Sequence, residues 1–454
     1  MDSRSFMNIK EEIYNHEQEI ISHLSKLISY PSIYQKDDTP FGIQNKKCLE
    51  EALKIADSYG LKTVNLDDYC GYVEIGEGSE IIGVLAHLDV VPAGNGWNTE
   101  PFQLTIKDNK MYGRGVSDDK GAVVAMLFVM NLLKKFQRKL NKRVRLILGC
   151  NEECGSHDIE YYIKKEGNIS MGFTPDGSFP VIHGEKGRIL LSFSTSNTKI
   201  IDMIGGQSDN AVPDYVKFKI NNNSYQKKQL ENDLKINNLH YKITQNSHNH
   251  VIEVYGKASH ASTPEKGKNA ISYAIMALYH AGYEDEFIKN YVKYIGTSFD
   301  GKNLNIKCSD EYGSLTCNQG MLKKENDKMI GTIDIRVPVT YPVEQILKQL
   351  QTLKIPNWTF QILDVSPSLF YPIDHPLVHS LQQAYIKVTG DENTLPITTG
   401  GGTYAKSIDH CVAFGCAFPD TFNHIHQANE VLLKEELWKQ IEIYYIAICN
   451  LLKI

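Results

Sequence analysis

The feature that most constrains the fold of this chain is an alternation of short apolar runs and amphipathic segments in its first half. Ile81–His87 (IIGVLAH) and Lys142–Cys150 (KRVRLILGC) have the length and composition of buried strands. Glu11–Tyr30, Gly121–Phe136 and Asp158–Lys165 repeat apolar residues near the helical period of 3.6. This alternation predicts an α/β fold, with a mostly parallel sheet flanked by helices.

The domain plan follows from the length and from a change of character in the middle of the chain. The 454 residues suggest about three domains, or one domain with a large insertion. The stretch 186–374 includes an Asn- and Lys-rich region, Ile220–His250, which we interpret as a polar surface insertion. An apolar run at Cys411–Phe418 then predicts another strand. We expect a catalytic domain in two parts, 1–185 and 375–454, with a second domain at 186–374.

Composition excludes several classes of protein. Hydrophobic residues make up 42% and charged residues 22% of the chain, which is ordinary for a globular protein. The net charge of −6, without a block of like charge, predicts that nucleic acid is not a partner. No apolar stretch approaches the roughly 18 residues that a membrane-spanning helix needs, so we expect no membrane partner.

The compartment is predicted from the N-terminus and the cysteines. The first residues, MDSRSFMNIKEEIYNHEQE, are polar and contain no apolar core, so no secretory signal is expected. The nine cysteines are scattered and none forms a C-x-x-C pair. An odd number of dispersed cysteines predicts free thiols in a reducing cytoplasm.

Two motifs place histidine or acidic residues next to predicted strands and helices. In HLDVV, His87 ends an apolar run and Asp89 follows; a metal ligand with a supporting carboxylate and a buried histidine capping a strand both fit. In YGRGVSDDKG, Asp118 and Asp119 precede a helix. An N-cap fits there, and the motif lacks the spacing of a phosphate loop. A carboxylate that bridges two cations explains the local negative charge better.

Three further motifs supply more potential ligands. In CNEECGS, Glu152 and Glu153 end a predicted strand, where paired carboxylates are costly unless a cation neutralises them. One could bind a metal and the other act as a general base, although an exposed loop fits this motif alone. Asp176 lies in FTPDGS, and His424 and His426 lie in HIHQANE. Together the motifs predict a two-metal hydrolytic site whose N and O ligands suit Zn²⁺, Mn²⁺ or Co²⁺.

The motifs also resemble those of a known family, in order and over about residues 10–450. HLDVVPAGNGW, YGRGVSDDKG, NEECGS, TPDGSFPV, GKASHASTPEKGKNA, GGGTYAK and HQANE are similar to the M20 metallopeptidase family and, within it, to the PepV-type dipeptidases. The resemblance implies an M20 peptidase-like α/β fold with an inserted α+β lid domain. It also implies two divalent metal ions per subunit, zinc or manganese, and a small peptide as substrate.

The activity implied by this resemblance is hydrolysis of unsubstituted dipeptides by a two-metal-activated water. An N-acyl amino acid deacylase, of the acetylornithine or succinyl-diaminopimelate type, is one alternative, against which the long insertion argues. A catalytically inactive peptide-binding homologue is another, against which the complete set of ligands argues.

The resemblance assigns a role to each motif residue. His87 and Asp176 would bind one metal, Glu153 and His426 the other, and Asp118 would bridge both. In the same pattern Glu152 is the general base, Asp89 orients the first histidine, and Asp119 is a neighbour preceded by a cis peptide. The family pattern gives His424 no role.

The resemblance also assigns roles in the inserted domain. His260 would donate to the oxyanion that develops on the substrate. Arg336 would grip the substrate's terminal carboxylate, with Asn210 nearby, and Gly400 and Gly401 would offer backbone N–H groups. The residues alone would favour a surface turn, an exposed arginine and a flexible loop at these places.

A monomer is expected, because the enlarged lid would supply the donor histidine within one chain. The sequence departs from the family pattern at two positions. Cys154 stands where many members have Thr, and we interpret it as a buried, inert cysteine. Lys406 stands where Arg is common, which argues against a bidentate contact there.

Overall fold

The computed structural model describes the backbone of residues 3–137 and 139–454 and the side chains of residues 8–137 and 139–454. The chain divides into two compact units. Unit 1 comprises the described part of Met1–Gly184 together with Tyr371–Ile397 and Gly402–Ile454, and unit 2 comprises Glu185–Phe370 and Thr398–Gly401. The domain boundaries at 186 and 374 stay a prediction from the sequence.

The described residues form eleven α-helices. They are α1 (Ser3–Asn15), α2 (Glu17–Ile28), α3 (Ile43–Ser58), α4 (Lys120–Phe136), α5 (His157–Glu166), α6 (Lys227–Ile236), α7 (Ala270–His280), α8 (Glu286–Tyr294), α9 (Val343–Gln351), α10 (Pro376–Thr389) and α11 (Lys434–Leu451).

The strands of the same residues are β1 (Lys62–Leu66), β2 (Cys70–Ile75), β3 (Ile81–His87), β4 (Thr105–Lys107), β5 (Lys110–Tyr112), β6 (Arg143–Gly149), β7 (Met171–Thr174), β8 (Ile182–Glu185), β9 (Gly187–Thr195), β10 (Asp202–Gly205), β11 (Tyr215–Asn221), β12 (His240–Gln245), β13 (Asn249–Tyr255), β14 (Ser309–Asp310), β15 (Gly313–Ser314), β16 (Thr316–Glu325), β17 (Lys328–Val337), β18 (Thr359–Ser366), β19 (Leu369–Phe370), β20 (Ile397–Thr399), β21 (Cys411–Ala413) and β22 (Val431–Leu433).

The main sheet of unit 1 confirms the predicted α/β class and refines its strand directions. Its strands lie in the order β1-β2-β6-β3-β7-β21-β8. The four central strands β6, β3, β7 and β21 are parallel, whereas β1, β2 and β8 pair antiparallel with their neighbours. The antiparallel pairing of β1 with β2 follows from the length of their connection, because the turn between them spans only residues 67–69. A parallel pair needs a long crossover, such as the one that contains α4.

The core of unit 1 lies between this sheet and its helices. Every residue of β3 is buried, and so is every residue from Lys120 to Met130 in α4. This helix contacts α2 and α11 as well as β3 and β6. Each buried aliphatic side chain contributes roughly 1.5–3 kcal/mol relative to an exposed one, so the continuous apolar sequence of α4 strongly favours this position.

Two of the elements predicted from the sequence differ in the structure. The single helix expected over Glu11–Tyr30 is two helices, α1 and α2, separated at His16, whose backbone has φ −112° and ψ 12°. No Gly or Pro marks that break in the sequence. The strand expected over Cys411–Phe418 ends at Ala413, because Gly415 turns the chain out of the extended conformation with φ 88°.

Unit 2 is built on an antiparallel sheet of eight strands, in the order β12-β13-β11-β10-β16-β17-β9-β18. The region Ile220–His250 is part of this α+β unit, because it contains α6 and β12. Leu230 and Leu234 anchor α6 to the core of the unit. Among the described residues no helix is both long and apolar enough to cross a membrane.

Candidate active site

Histidine and carboxylate side chains gather in unit 1 where β3 and β6 end. His87 is the buried last residue of β3, and its Nδ1 lies 2.9 Å from the carbonyl oxygen of Asp89. A proton on Nδ1 satisfies that contact and leaves the lone pair of Nε2 on the other side of the ring. Nε2 lies 2.9 Å from Oδ1 of Asp118 and 3.8 Å from Oδ2 of Asp176.

The two oxygens of Asp118 face two different histidines. Oδ1 faces His87, and Oδ2 lies 2.9 Å from Nε2 of His426. The same His426 nitrogen lies 3.0 Å from Oε1 of Glu153. The Asp118 carboxylate therefore lies between two sets of potential ligands, which come from β3, the turn after β6, the loop after β7 and the loop before β22.

The cluster carries excess negative charge. Burial, followed by the charge of Asp176, raises the pKa of Glu152 well above its usual range. Burial and the nearby Asp118 raise the pKa of Asp176 to about 7. Hydrogen bonds to Asp118 and then Glu153 raise the pKa of His426 to about 11. The group therefore favours positive charge at its centre, supplied by protons or by cations.

The spacing of the donor atoms fits divalent cations. Two ligands bound tetrahedrally to Zn²⁺ at about 2.0–2.2 Å lie roughly 3.4 Å apart. The Nε2–O distances of 2.9 and 3.8 Å around His87 lie on either side of that value. Two groups of three residues each have ligand atoms that all lie within 4.8 Å of one another. One group is His87, Glu152 and Asp176, and the other is His87, Asp118 and Glu153.

Asp89 supports the turn that carries the two glutamates. Its carboxylate accepts hydrogen bonds from the backbone N–H groups of Glu152 (3.1 Å) and Glu153 (3.0 Å). The same carboxylate lies 3.4 Å from Nδ1 of His87, farther than the Asp89 carbonyl oxygen. Asp89 thus contacts the histidine, as the sequence resemblance implies, and also holds the backbone of Glu152 and Glu153.

Two buried carboxylates of this region were missed by the sequence analysis. Asp158 accepts hydrogen bonds from Cys150 N (2.6 Å), from Asn151 N (2.9 Å) and from the hydroxyl of Tyr404. Glu430 accepts four hydrogen bonds, three of them from the backbone of the loop before α4. Glu430 belongs to the quoted HQANE motif, whereas no sequence signal distinguishes Asp158.

The remaining residues singled out near this cluster have varied surroundings. The peptide bond before Asp119 is cis, and the buried Asp119 carboxylate accepts a hydrogen bond from His87 N (3.2 Å). The ring of His424 packs edge-on against Phe422, with the centroids 4.3 Å apart. Cys154 is exposed, not buried as we had interpreted it. Its pKa is raised, first by desolvation and then by nearby carboxylates, which disfavours a reactive thiolate.

In unit 2 the structure brings the candidate residues His260 and Asn210 together. Their segments pair through an antiparallel bridge at Ala211 and His260, and Ala261 N donates to the Asn210 carbonyl (2.8 Å). Nδ1 of His260 accepts from the backbone N–H of Ser262 (3.2 Å). Nδ1 also lies 2.6 Å from the hydroxyl oxygen of Ser262, which can donate to it. Because a backbone N–H can only donate, these contacts assign the neutral ring the tautomer with its proton on Nε2.

The other candidates of unit 2 are already engaged. The Arg336 guanidinium donates twice to the Asp334 carboxylate (2.6 and 3.1 Å) and once to the Gly400 carbonyl (3.0 Å). These bonds use three of its five N–H groups. Gly401 N donates to Thr399 Oγ1 (3.2 Å). A Cβ at Gly400 would lie 2.3 Å from Ser262 Cβ, so glycine allows the close approach of the two segments.

Comparison with known proteins places the chain in a family. The family model described as peptidase family M20/M25/M40 matches residues 83–450. The chain belongs to this peptidase family. The M20 membership and the hydrolase class expected from the sequence are thereby confirmed.

Full-length relatives support the same assignment. A Staphylococcus haemolyticus protein named "Putative dipeptidase" is 32% identical over 465 aligned residues, with 97% of this chain and 99% of that protein covered. The solved structure of human carnosine dipeptidase 1 has a TM-score of 0.63 at 16% identity, covering 99% of each chain. A Bacillus subtilis protein described as a dinuclear metal binding peptidase from the M20 family has a TM-score of 0.51 at 13% identity, covering 97% of this chain and 99% of that one. At these identities the two structures show a shared M20 peptidase fold.

Proposed function

We propose that this protein is a dipeptidase that depends on two divalent metal ions, zinc or manganese, and hydrolyses unsubstituted dipeptides. The observation that carries the proposal is the position of Asp118, whose two oxygens each lie 2.9 Å from the Nε2 of a different histidine. The name of the staphylococcal relative and the dinuclear description of the Bacillus subtilis neighbour support it.

The proposed ligands divide between the two cations. His87 and Asp176 would hold one, Glu153 and His426 would hold the other, and Asp118 would bridge them. All five side chains come from unit 1. Bound cations would supply a water of lowered pKa and positive charge for the scissile carbonyl.

Glu152 is the proposed general base. Its carboxylate lies within 4.8 Å of ligand atoms of His87 and Asp176, while Asp89 holds its backbone N–H. A carboxylate anchored beside the ligands can accept a proton from water and return it to the leaving amine. Asp119 is proposed as a neighbour of the ligands that steadies His87 through the backbone.

Residues of unit 2 are proposed to bind the substrate. The Nε2–H of His260, set by the contact of Nδ1 with Ser262, is the donor proposed for the developing oxyanion. Arg336 is proposed to bind the terminal carboxylate with the N–H groups that Asp334 and Gly400 do not use. Asn210 and the backbone of Gly400 and Gly401 are proposed to line the same place.

The state and compartment of the enzyme are part of the proposal. We propose a monomer in which the lid of the same chain supplies His260, a prediction that sedimentation analysis tests. We propose a cytoplasmic location, because all nine cysteines are free thiols in the structure. Fractionation of cells that express the protein tests the location.

The experiment that tests the function combines metal analysis with a matched pair of variants. Metal-stripped protein is reconstituted with Zn²⁺ or Mn²⁺ and assayed on free dipeptides and on N-acetylated amino acids. Glu152→Gln is expected to keep two metals and lower kcat by about 10²–10⁴-fold, the usual contribution of a general base. The control is Glu160→Gln, at an exposed glutamate on α5, which should leave kcat unchanged.

Three results would contradict the proposal. Near-normal turnover by Glu152→Gln would reject the base. Preference for acylated amino acids would identify a deacylase instead. Wild-type protein that holds two metals but hydrolyses no dipeptide would identify a peptide-binding homologue.

A further inference from the structure

A buried glutamate joins the loop that carries Asp118 to the loop that carries His426. Glu430 lies four positions after His426 and is fully buried. Its Oε1 accepts from the backbone N–H groups of Ser117 (2.9 Å) and Asp118 (3.1 Å). Its Oε2 accepts from Gly115 N (3.0 Å) and from Nη1 of Arg114 (2.7 Å).

These four bonds fill the acceptor positions of one carboxylate. The loop that they hold, residues 113–119, contains no helix or strand, so its N–H groups lack the partners that regular structure would supply. The carboxylate supplies them instead. Its charge is matched by Arg114, which is also buried and donates to the carbonyls of Pro92 and Ala93 (3.3 Å each).

Further bonds fasten the same two segments together. The hydroxyl of Ser117 donates to the carbonyl of Val431 (2.8 Å), and Gly113 N donates to the carbonyl of Glu430 (3.3 Å). The strand β22 pairs antiparallel with β5 immediately beyond. The position of Asp118 relative to His426 is therefore set by contacts that converge on Glu430.

We propose that Glu430 is a positioning residue that sets the spacing between Asp118 and His426. It thereby sets the affinity for the second cation, the one that Glu153 and His426 are proposed to hold. This inference rests on the proposed two-metal function. None of the four hydrogen bonds that the Glu430 carboxylate accepts comes from a histidine. It acts on the ligands through the backbone N–H of Asp118 and through the short chain segment to His426.

The test measures metal binding and not only activity. Metal-stripped wild-type protein and the Glu430→Gln variant are titrated with Mn²⁺ by calorimetry. The amide presents an NH₂ group to donors that need an acceptor, so the loop should shift. Replacing a residue that supports a metal ligand typically weakens metal binding 10–100-fold. We expect the affinity for the second equivalent of Mn²⁺ to fall by that factor. Glu442→Gln, at a buried glutamate of α11 paired with Lys10 (3.6 Å), is the control and should bind as wild type does.

Glu430→Gln leaves the buried Arg114 beside a neutral partner. If this variant does not fold, a milder variant keeps the test decisive. Glu430→Asp keeps the negative charge beside Arg114 but shortens the side chain by one methylene, so its carboxylate cannot keep all four bonds. A several-fold loss of affinity for the second Mn²⁺ is expected. Unchanged affinity in folded Glu430→Gln, or in Glu430→Asp if the first variant is unfolded, overturns the positioning role alone. Wild-type protein that binds no Mn²⁺ or Zn²⁺ overturns the proposed function as well.

Discussion

The hydroxyl of Tyr404 offers a sharp test of how the turn beneath the glutamates is stabilised. Tyr404 is buried and donates to Oδ2 of Asp158, which also accepts from Cys150 N (2.6 Å) and Asn151 N (2.9 Å). Tyr404→Phe removes that donor without leaving a large cavity. Burial, and then the charge of Asp89, raises the pKa of Asp158 to about 6, while the Tyr404 hydroxyl opposes the rise. In the variant the pKa should therefore be higher still.

The sign of the pH effect follows from that shift. The folded pKa of Asp158 lies above its ordinary value of 3.8, so ionisation of this group lowers the free energy of unfolding as pH rises through about 6. A higher folded pKa in the variant enlarges that loss. We expect Tyr404→Phe to cost about 1.5–3 kcal/mol at pH 8, where the lost bond is to a charged group, and about 0.5–1.5 kcal/mol near pH 5, where it is to a neutral one.

The assay is urea unfolding of metal-stripped protein at several pH values, followed by circular dichroism. Tyr162→Phe is the matched control, because the hydroxyl of this buried tyrosine accepts from Nη1 of Arg145 (2.9 Å), a group that does not titrate in this range. Its cost should be nearly constant over the same range, from about pH 5 to pH 8. A Tyr404→Phe cost that is constant with pH, or that shrinks as pH rises, would refute the reasoning.

Two further predictions concern unit 2 and the metals. Gly400→Ala should destabilise the protein by about 1–3 kcal/mol, because its Cβ would lie 2.3 Å from Ser262 Cβ; Ser262→Gly should relieve much of this cost, and equal unfolding midpoints for wild type and Gly400→Ala would contradict it. A free metal concentration of about 100 times Kd should raise the free energy of unfolding by about 2.7 kcal/mol. Chelation should remove this stabilisation and lower the melting temperature, and an unchanged midpoint in a thermal scan would argue against bound metal.

Much of the candidate site could be predicted because its residues sit in motifs next to strand ends. His87 follows an apolar run, and Glu152 and Glu153 follow another. In an α/β sheet the carboxyl ends of neighbouring parallel strands meet at one edge, so polar residues at those ends are expected to lie together. The pairing of β3 with β6 in parallel does bring the two ends together.

Other features left no such signal, because they depend on contacts between distant segments. The hydrogen bonds that Asp89 accepts from the backbone N–H groups of Glu152 and Glu153 join positions more than 60 residues apart. Glu430 lies more than 310 residues from the loop that it holds. An acidic residue in a loop has the same appearance in the sequence whether it faces solvent or collects buried N–H groups.

The sequence by itself determined the class of fold, the family and the set of acidic and histidine residues from which a metal site could be built. These follow from local periodicity and from ordered motifs, which need no knowledge of distance. Only the tertiary structure decided that the two oxygens of Asp118 face different histidines, and that Asp158 and Glu430 lie beneath the loops that carry the ligands. The reason is physical: a buried carboxylate acquires its role from the donors that surround it, and folding alone brings those donors to it.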